Sequence, residues 1–282
     1  MFSPSDLHLH SEYSYDAENK IENILAVARE KGFSRVGITD HLNFNDEKYI
    51  SDLTRSAEAV NRIKDDPELT RGVKLTLGVE LTPIALPEFE YIAKHKTREG
   101  YIPPRQDSPY GIELGMTKEE LRALGVRYAV GASHWRVDAP KKDSEATLDE
   151  LIGEWFRQQM WLAQDERVTI LGHPWYNGAG RWYSDLSVIP RSMHNELIAA
   201  LKENRKRAEF NSGTLLSPKG SDYFKRAYAE LLREYFECGV AMTYGSDSHK
   251  NYSTLPEEAV NYMRLAGFRD GDITDLTEEE LW

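Results

Sequence analysis

DLHLHSEYSYD, residues 6–16, gathers much of the polar chemistry of the chain into one short stretch. Leu7 and Leu9 alternate with Asp6, His8 and His10, the period-2 pattern of a strand. Residues two apart on a strand share a face, so the two imidazoles are expected to point the same way. With the carboxylate of Asp16 close behind, they can clamp one divalent cation or two neighbouring ones. The fold is then expected to bring further ligands back to this point.

Working outward, Ile21–Lys31 has helical spacing in Ile21, Ile24, Leu25 and Ala28, and Gly32 stops it. Arg35–Thr39 reads as a second strand ending at Asp40-His41, Tyr49–Lys64 as a helix, and Val73–Val79 as a strand ending at Glu80. The rhythm then breaks. Prolines at 83, 87, 103, 104 and 109 punctuate an irregular insertion over about residues 81–127, read as an excursion over one end of the domain or a lid. A helix at Thr117–Leu124 returns the chain to a strand, Tyr128–Ala132, ending at Ser133-His134.

Alternation resumes with a helix at Leu148–Gln164, a strand at Val168–Leu171 ending at Gly172-His173-Pro174, and an aromatic loop at 175–183. Next come a helix at Ser192–Asn204, a strand at Ala208–Asn211, a helix at Tyr223–Glu237 and a strand at Val240–Tyr244. That strand ends at Gly245-Ser246-Asp247-Ser248-His249, and a last helix covers Pro256–Ala266. About seven strand–helix units predict an α/β chain forming a single-domain parallel barrel over 1–282, the alternative being an open doubly wound sheet.

Composition narrows the function. A net charge of −12 disfavours nucleic acid as a partner, because phosphate backbones are held by Lys and Arg patches. Cys238 is the only cysteine, which excludes a disulfide framework and a thiolate zinc site. The N-terminus has neither a basic nor an apolar run, and no segment is apolar enough to span a bilayer, so the expectation is a cytoplasmic protein. Nothing in the sequence speaks to oligomeric state.

His8, His10, His41, Glu80, His134, His173, Asp247 and His249 all fall at or just past the ends of predicted strands, the face that carries active sites in parallel barrels. Six of the eight histidines sort this way, leaving only His95 and His194. Taken singly, each has a bland reading: a polar strand face, a helix cap at 247–249, a turn at 172–174. Jointly they call for Zn, Mn or Fe, and with Asp16 they are too many for one ion, so two or three metals are expected. Closely spaced metals suit the hydrolysis of phosphate esters.

HLH at 8–10, Asp16, TDH at 39–41, Glu80, SH at 133–134, GHP at 172–174 and SDSH at 246–249 resemble, in order, the motifs of the PHP (polymerase and histidinol phosphatase) superfamily. The opening HSEYSYDA and the chain length resemble its histidinol-phosphatase-like members. The resemblance implies a distorted (β/α)7 TIM-like barrel with a trinuclear site. It places His8, His10, Glu80 and Asp247 on the first metal, and Glu80, His134 and His173 on the second. Asp16, His41 and His249 fall on the third; position 16 is His in some relatives.

The implied reaction is hydrolysis of histidinol phosphate, in histidine biosynthesis, with Glu80, Asp247 and His249 as catalytic residues. The metals would activate water and neutralise phosphoryl oxygens, and Asp247 or a bound water would protonate the leaving alkoxide. Another small phosphorylated metabolite, a nucleic-acid end, a non-catalytic PHP module and an amidohydrolase-like barrel are the competing readings.

Around this set, Asp40 either orients a ligand or caps the next helix, and Asn211 either faces the site or bonds within the core. Arg136, Arg181 and Lys250 are candidates for a substrate phosphate. Trp135, Trp175 and Trp182 either wall the pocket or pack in the core.

Overall fold

The computed structural model describes residues 2–43, 47–85, 112–113, 115–134, 145–177, 182–253 and 255–282. Most sequence-predicted elements are present within a residue or two of their expected limits. The first helix spans Ile21–Lys31, buries Ile21, Ile24, Leu25 and Ala28, and stops where Gly32 turns left-handed at φ 78°. The helices at Lys118–Ala123 and Leu148–Gln164 each start from a reciprocal capping box, Thr117 with Glu120 and Thr147 with Glu150.

The strands are β1 (Ser5–Leu9), β2 (Arg35–Ile38), β3 (His41–Asn43), β4 (Lys74–Leu77), β5 (Val79–Thr82), β6 (Ile84–Ala85), β7 (Ile112–Glu113), β8 (Ala129–Gly131), β9 (Ile170–Leu171), β10 (Arg207–Asn211) and β11 (Met242–Gly245). They form a three-stranded sheet in the order β1-β2-β4 and a six-stranded sheet in the order β11-β10-β9-β8-β5-β3, parallel throughout. Beyond the edge of the larger sheet, the Asp247 amide donates to the His8 carbonyl (2.8 Å) and the His10 amide to the Ser248 carbonyl (3.2 Å). These bonds bring the first strand against the last.

Two expected strands are each followed at once by a further short strand that the sequence reading did not include. The chain between Arg35 and Asn43 pairs first with β4 and then, after Thr39-Asp40, with β5; the chain between Lys74 and Thr82 divides at Gly78. Tyr128 lies close against both strands, and its hydroxyl donates to the Leu7 carbonyl (2.8 Å). A Cβ at Gly37 would lie 1.7 Å from that hydroxyl oxygen, and one at Gly78 2.6 Å from the ring. Both glycines are therefore needed for close approach.

β1 also departs from strict alternation, because its register against β2 shifts between Asp6 and Leu9. Leu9 joins the main core under the helices, whereas Leu7 packs in a second cluster with Tyr128, Val130, Ile170, Leu276 and Leu281. That second cluster is completed by the C-terminal segment. Ile273 bridges Met242, and the segment's acids meet two buried arginines at strand starts: Arg35 with Asp275 (3.2 Å) and Arg207 with Glu280 (2.6 Å).

Of the insertion, residues 86–111 and 114, and with them the expected lid and His95, lie outside the described residues. Its two ends meet as the antiparallel pair β6–β7.

At the same end as the C-terminal segment, Lys206 donates to the carbonyls of Asp165 (2.7 Å) and Val168 (2.6 Å), and partial burial brings its pKa down to about 8. An unfolded lysine titrates near ~10.4. Between the two values the unfolded chain binds more protons, so this residue makes the fold more stable as pH rises through that window. Lys206→Met is expected to flatten the slope, read as the difference in urea midpoints between variant and native chain from about pH 7 to about pH 10.5.

Candidate metal centre

Six strand ends deliver the predicted ligands to one place. Glu80 on β5 is at the middle, fully buried. Its Oε2 lies 3.3 Å from His8 Nε2, 3.4 Å from His10 Nε2 and 2.8 Å from His41 Nδ1. Its Oε1 lies 3.2 Å from His134 Nε2 and 3.4 Å from His173 Nε2. Asp247 Oδ1 approaches His10 Nε2 at 3.2 Å and His8 Nε2 at 3.7 Å. Asp16 Oδ2 lies 3.4 Å from both His41 Nε2 and His249 Nε2.

Three overlapping groups of donor atoms result, each compact enough for one ion: His8, His10, Glu80 and Asp247; Glu80, His134 and His173; and His10, His41 and His249. The sequence assignment puts His10 in the first group alone. In the structure its ring stacks against both His41 (4.2 Å) and His249 (4.1 Å) and serves two groups.

The donor atoms fit metal ions. Both Glu80 oxygens, His8 Nε2, both His10 nitrogens, His41 Nδ1 and His173 Nδ1 are buried without a hydrogen-bond partner. So many orphaned lone pairs would be costly in a packed interior unless a cation shares them. Titration carries the same message. Burial opposes charge on His41, yet Glu80 and Asp16 outweigh it and raise its pKa to about 10. Burial and the neighbouring His41 push His10 down to about 3. Burial would raise Asp247, but His8 and His10 hold it well below the carboxylate range. Protons on some imidazoles thus supply the positive charge that the carboxylates require, and metal ions would displace them. Backbone strain marks the same place, with His173 at φ 27° and Asp247 at φ 54°.

Supporting residues fix the rings. Thr82 Oγ1 bonds His134 Nδ1 (2.9 Å). Asn211 donates to Asp247 Oδ2 (3.2 Å) and caps the helix at Ser212–Leu215, so it does face the site. Among the described residues, Asp40 bonds none of the candidate ligand side chains. It accepts from the Ser11 amide and hydroxyl and from the Ser56 hydroxyl, all at 2.6 Å, and burial lifts its pKa to about 6.

Lys250 is spent on an ion pair with Glu18 at the surface. Trp175 is core: it is fully buried, and its indole donates to the Tyr235 hydroxyl (2.9 Å). Trp182 packs edge-on against Trp155 (4.8 Å), and His194 lies beside Trp175. Arg136, Arg181 and Trp135 lie outside the described residues.

One residue that the sequence reading overlooked is Glu209. It is buried in β10 and bonds His8 Nδ1 (2.7 Å). The signal was available: it stands two residues before Asn211, hence on the same face of the strand.

A parallel α/β scaffold with a His- and carboxylate-lined centre at its strand ends defines a metal-binding class of protein. The PHP domain family matches residues 6–268, and the chain belongs to that family. It is 22% identical to a "Probable histidinol-phosphatase" of Thermotoga maritima, over 87% of this chain and 84% of that protein. It is 27% identical to a "Probable phosphatase" of Citrobacter koseri, over 91% and 82%. The histidinol phosphate phosphatase of Lactococcus lactis, solved with zinc, L-histidinol and phosphate, shares the fold at TM-score 0.62 and 19% identity, covering 99% of both chains. Among the described residues, no helix is long and apolar enough to cross a membrane.

Proposed function

We propose that the chain hydrolyses a small phosphate monoester at a trinuclear metal centre, with histidinol phosphate as the foremost substrate and histidine biosynthesis as its setting. The observation that carries this reading is Glu80, one buried carboxylate standing between all three groups of ligands. The distorted seven-unit barrel belongs to the same reading and is supported by the hydrogen bonds from His10 and Asp247 back to the opposite edge.

His8, His10, Glu80 and Asp247 would hold one ion, Glu80, His134 and His173 a second, and Asp16, His41 and His249, with His10 in reach, the third. Zinc, manganese and iron all suit these donors. When bound, such ions polarise the phosphoryl oxygens and neutralise their charge. The chain does the rest by positioning. Glu80 is sealed, whereas Asp247 keeps 20% and His249 30% of their side chains exposed, so these two stand at the mouth where substrate arrives. Asp247 stands at that mouth beside His8 and His10, where its carboxylate would help hold the first ion and orient the attacking water by accepting a hydrogen bond from it.

The test is phosphate release by the zinc- or manganese-loaded chain from histidinol phosphate and from p-nitrophenyl phosphate. Strong preference for histidinol phosphate is expected. Equal, slow turnover of both would move the reading to another phosphorylated metabolite, and no release from either would sink the phosphatase assignment.

A further inference from the structure

The structure assigns to Glu209 a role outside the ligand set: it is the positioning residue that turns the His8 Nε2 lone pair toward the first ion and ties that group to the second. The inference rests on the metal reading above. It starts from three bonds made by one buried carboxylate. Oε1 accepts from His8 Nδ1 (2.7 Å), while Oε2 accepts from the His173 backbone amide (2.8 Å) and from Asn211 Nδ2 (3.1 Å). His8 belongs to one ligand group and His173 to another, and Asn211 also donates to Asp247. A single side chain outside the ligand groups therefore touches two residues that would bind ions, His8 and His173, and a third, Asn211, that holds the candidate ligand Asp247.

The room for it is made by sequence. A Cβ at Gly245 would lie 1.9 Å from Glu209 Oε1 and 2.5 Å from the His8 Cβ, so the slot exists only while position 245 is glycine.

Chemistry makes a carboxylate necessary. All three neighbours are donors, and only an acceptor with two free oxygens satisfies them together. An amide has one oxygen. If it faced the His173 amide and Asn211, its NH2 would face His8 Nδ1, which would then have to accept, sending the ring proton to Nε2 where the metal needs the lone pair. If the oxygen faced His8, the NH2 would oppose the fixed His173 N–H.

Glu209→Gln is therefore expected to raise the zinc dissociation constant about 10- to 100-fold in chelator competition, the range for losing a residue that orients a ligand. In the zinc-loaded native chain, the His8 ring should show a slowly exchanging Nδ1–H by NMR, and the variant should lose it. Gly245→Ala, which keeps the carboxylate but displaces it, is expected to weaken zinc in the same direction. Melting of the chelator-treated proteins separates these effects from misfolding, and the Nδ1–H signal of the native chain needs no variant at all. Native zinc affinity in Glu209→Gln, or a native His8 bound through Nδ1, would overturn the role. A native chain that takes up no zinc would instead bring down the metal reading and this inference with it.

Discussion

Glu80→Gln should strip the centre of more than one ion and lower phosphate release by about 1,000-fold. The size follows from geometry. Every group of ligands but His10/His41/His249 includes a Glu80 oxygen, and that group sits against Oε2 through His41 at 2.8 Å. Replacing one oxygen by NH2 puts a donor against the three imidazole nitrogens around Oε2 or the two around Oε1, and it removes the negative charge that draws cations in. Losing about 4 kcal/mol of metal-supplied stabilisation of the transition state corresponds to that thousandfold loss. Metal analysis of the purified variant checks the first half, and phosphate release at saturating zinc checks the second. A variant holding its full complement of ions would show that Glu80 is not shared among them.

Removing the metals should cost stability as well as activity. Each ion bound only by the folded chain stabilises it by about 4 kcal/mol when free metal exceeds its dissociation constant about 1,000-fold. Two such ions correspond to a melting point about 15 °C higher, at roughly 2 °C per kcal/mol for a domain of this size. The buried lone pairs on Glu80, His8, His10, His41 and His173 make the effect specific, since chelation leaves them to protons alone. Thermal melts with zinc and with a chelator read it directly. Melting points that coincide would mean that no ion resides there.

The gathering of the candidate ligand side chains was legible because each falls at or just past the end of a predicted strand. Once His41, Glu80, His134, His173 and Asp247 were each placed where an apolar run stops, a parallel arrangement could bring them to one face. What escaped depended on long-range packing. The need for glycine at 37 and 78 follows from Tyr128 lying against them, contacts that span 91 and 50 positions of sequence. The double service of His10 depends on a stacking of rings contributed by the residue after β1, by β3 and by the segment after β11. Glu209 looked like an ordinary strand residue because its purpose is set by the absence of a side chain at Gly245. For Trp175 the sequence left pocket wall and core open; with its backbone at φ 61°, the indole lies in the core and bonds Tyr235.

The C-terminal segment that meets Arg35 and Arg207 lies at the starts of the strands, and the candidate metal ligands lie at their ends. A handle fused after Trp282 would therefore leave from the pole opposite the mouth. Anchored to a bead or an electrode by that handle, the protein would present its open face to the surrounding solution, which suits it to flow assays of phosphate release.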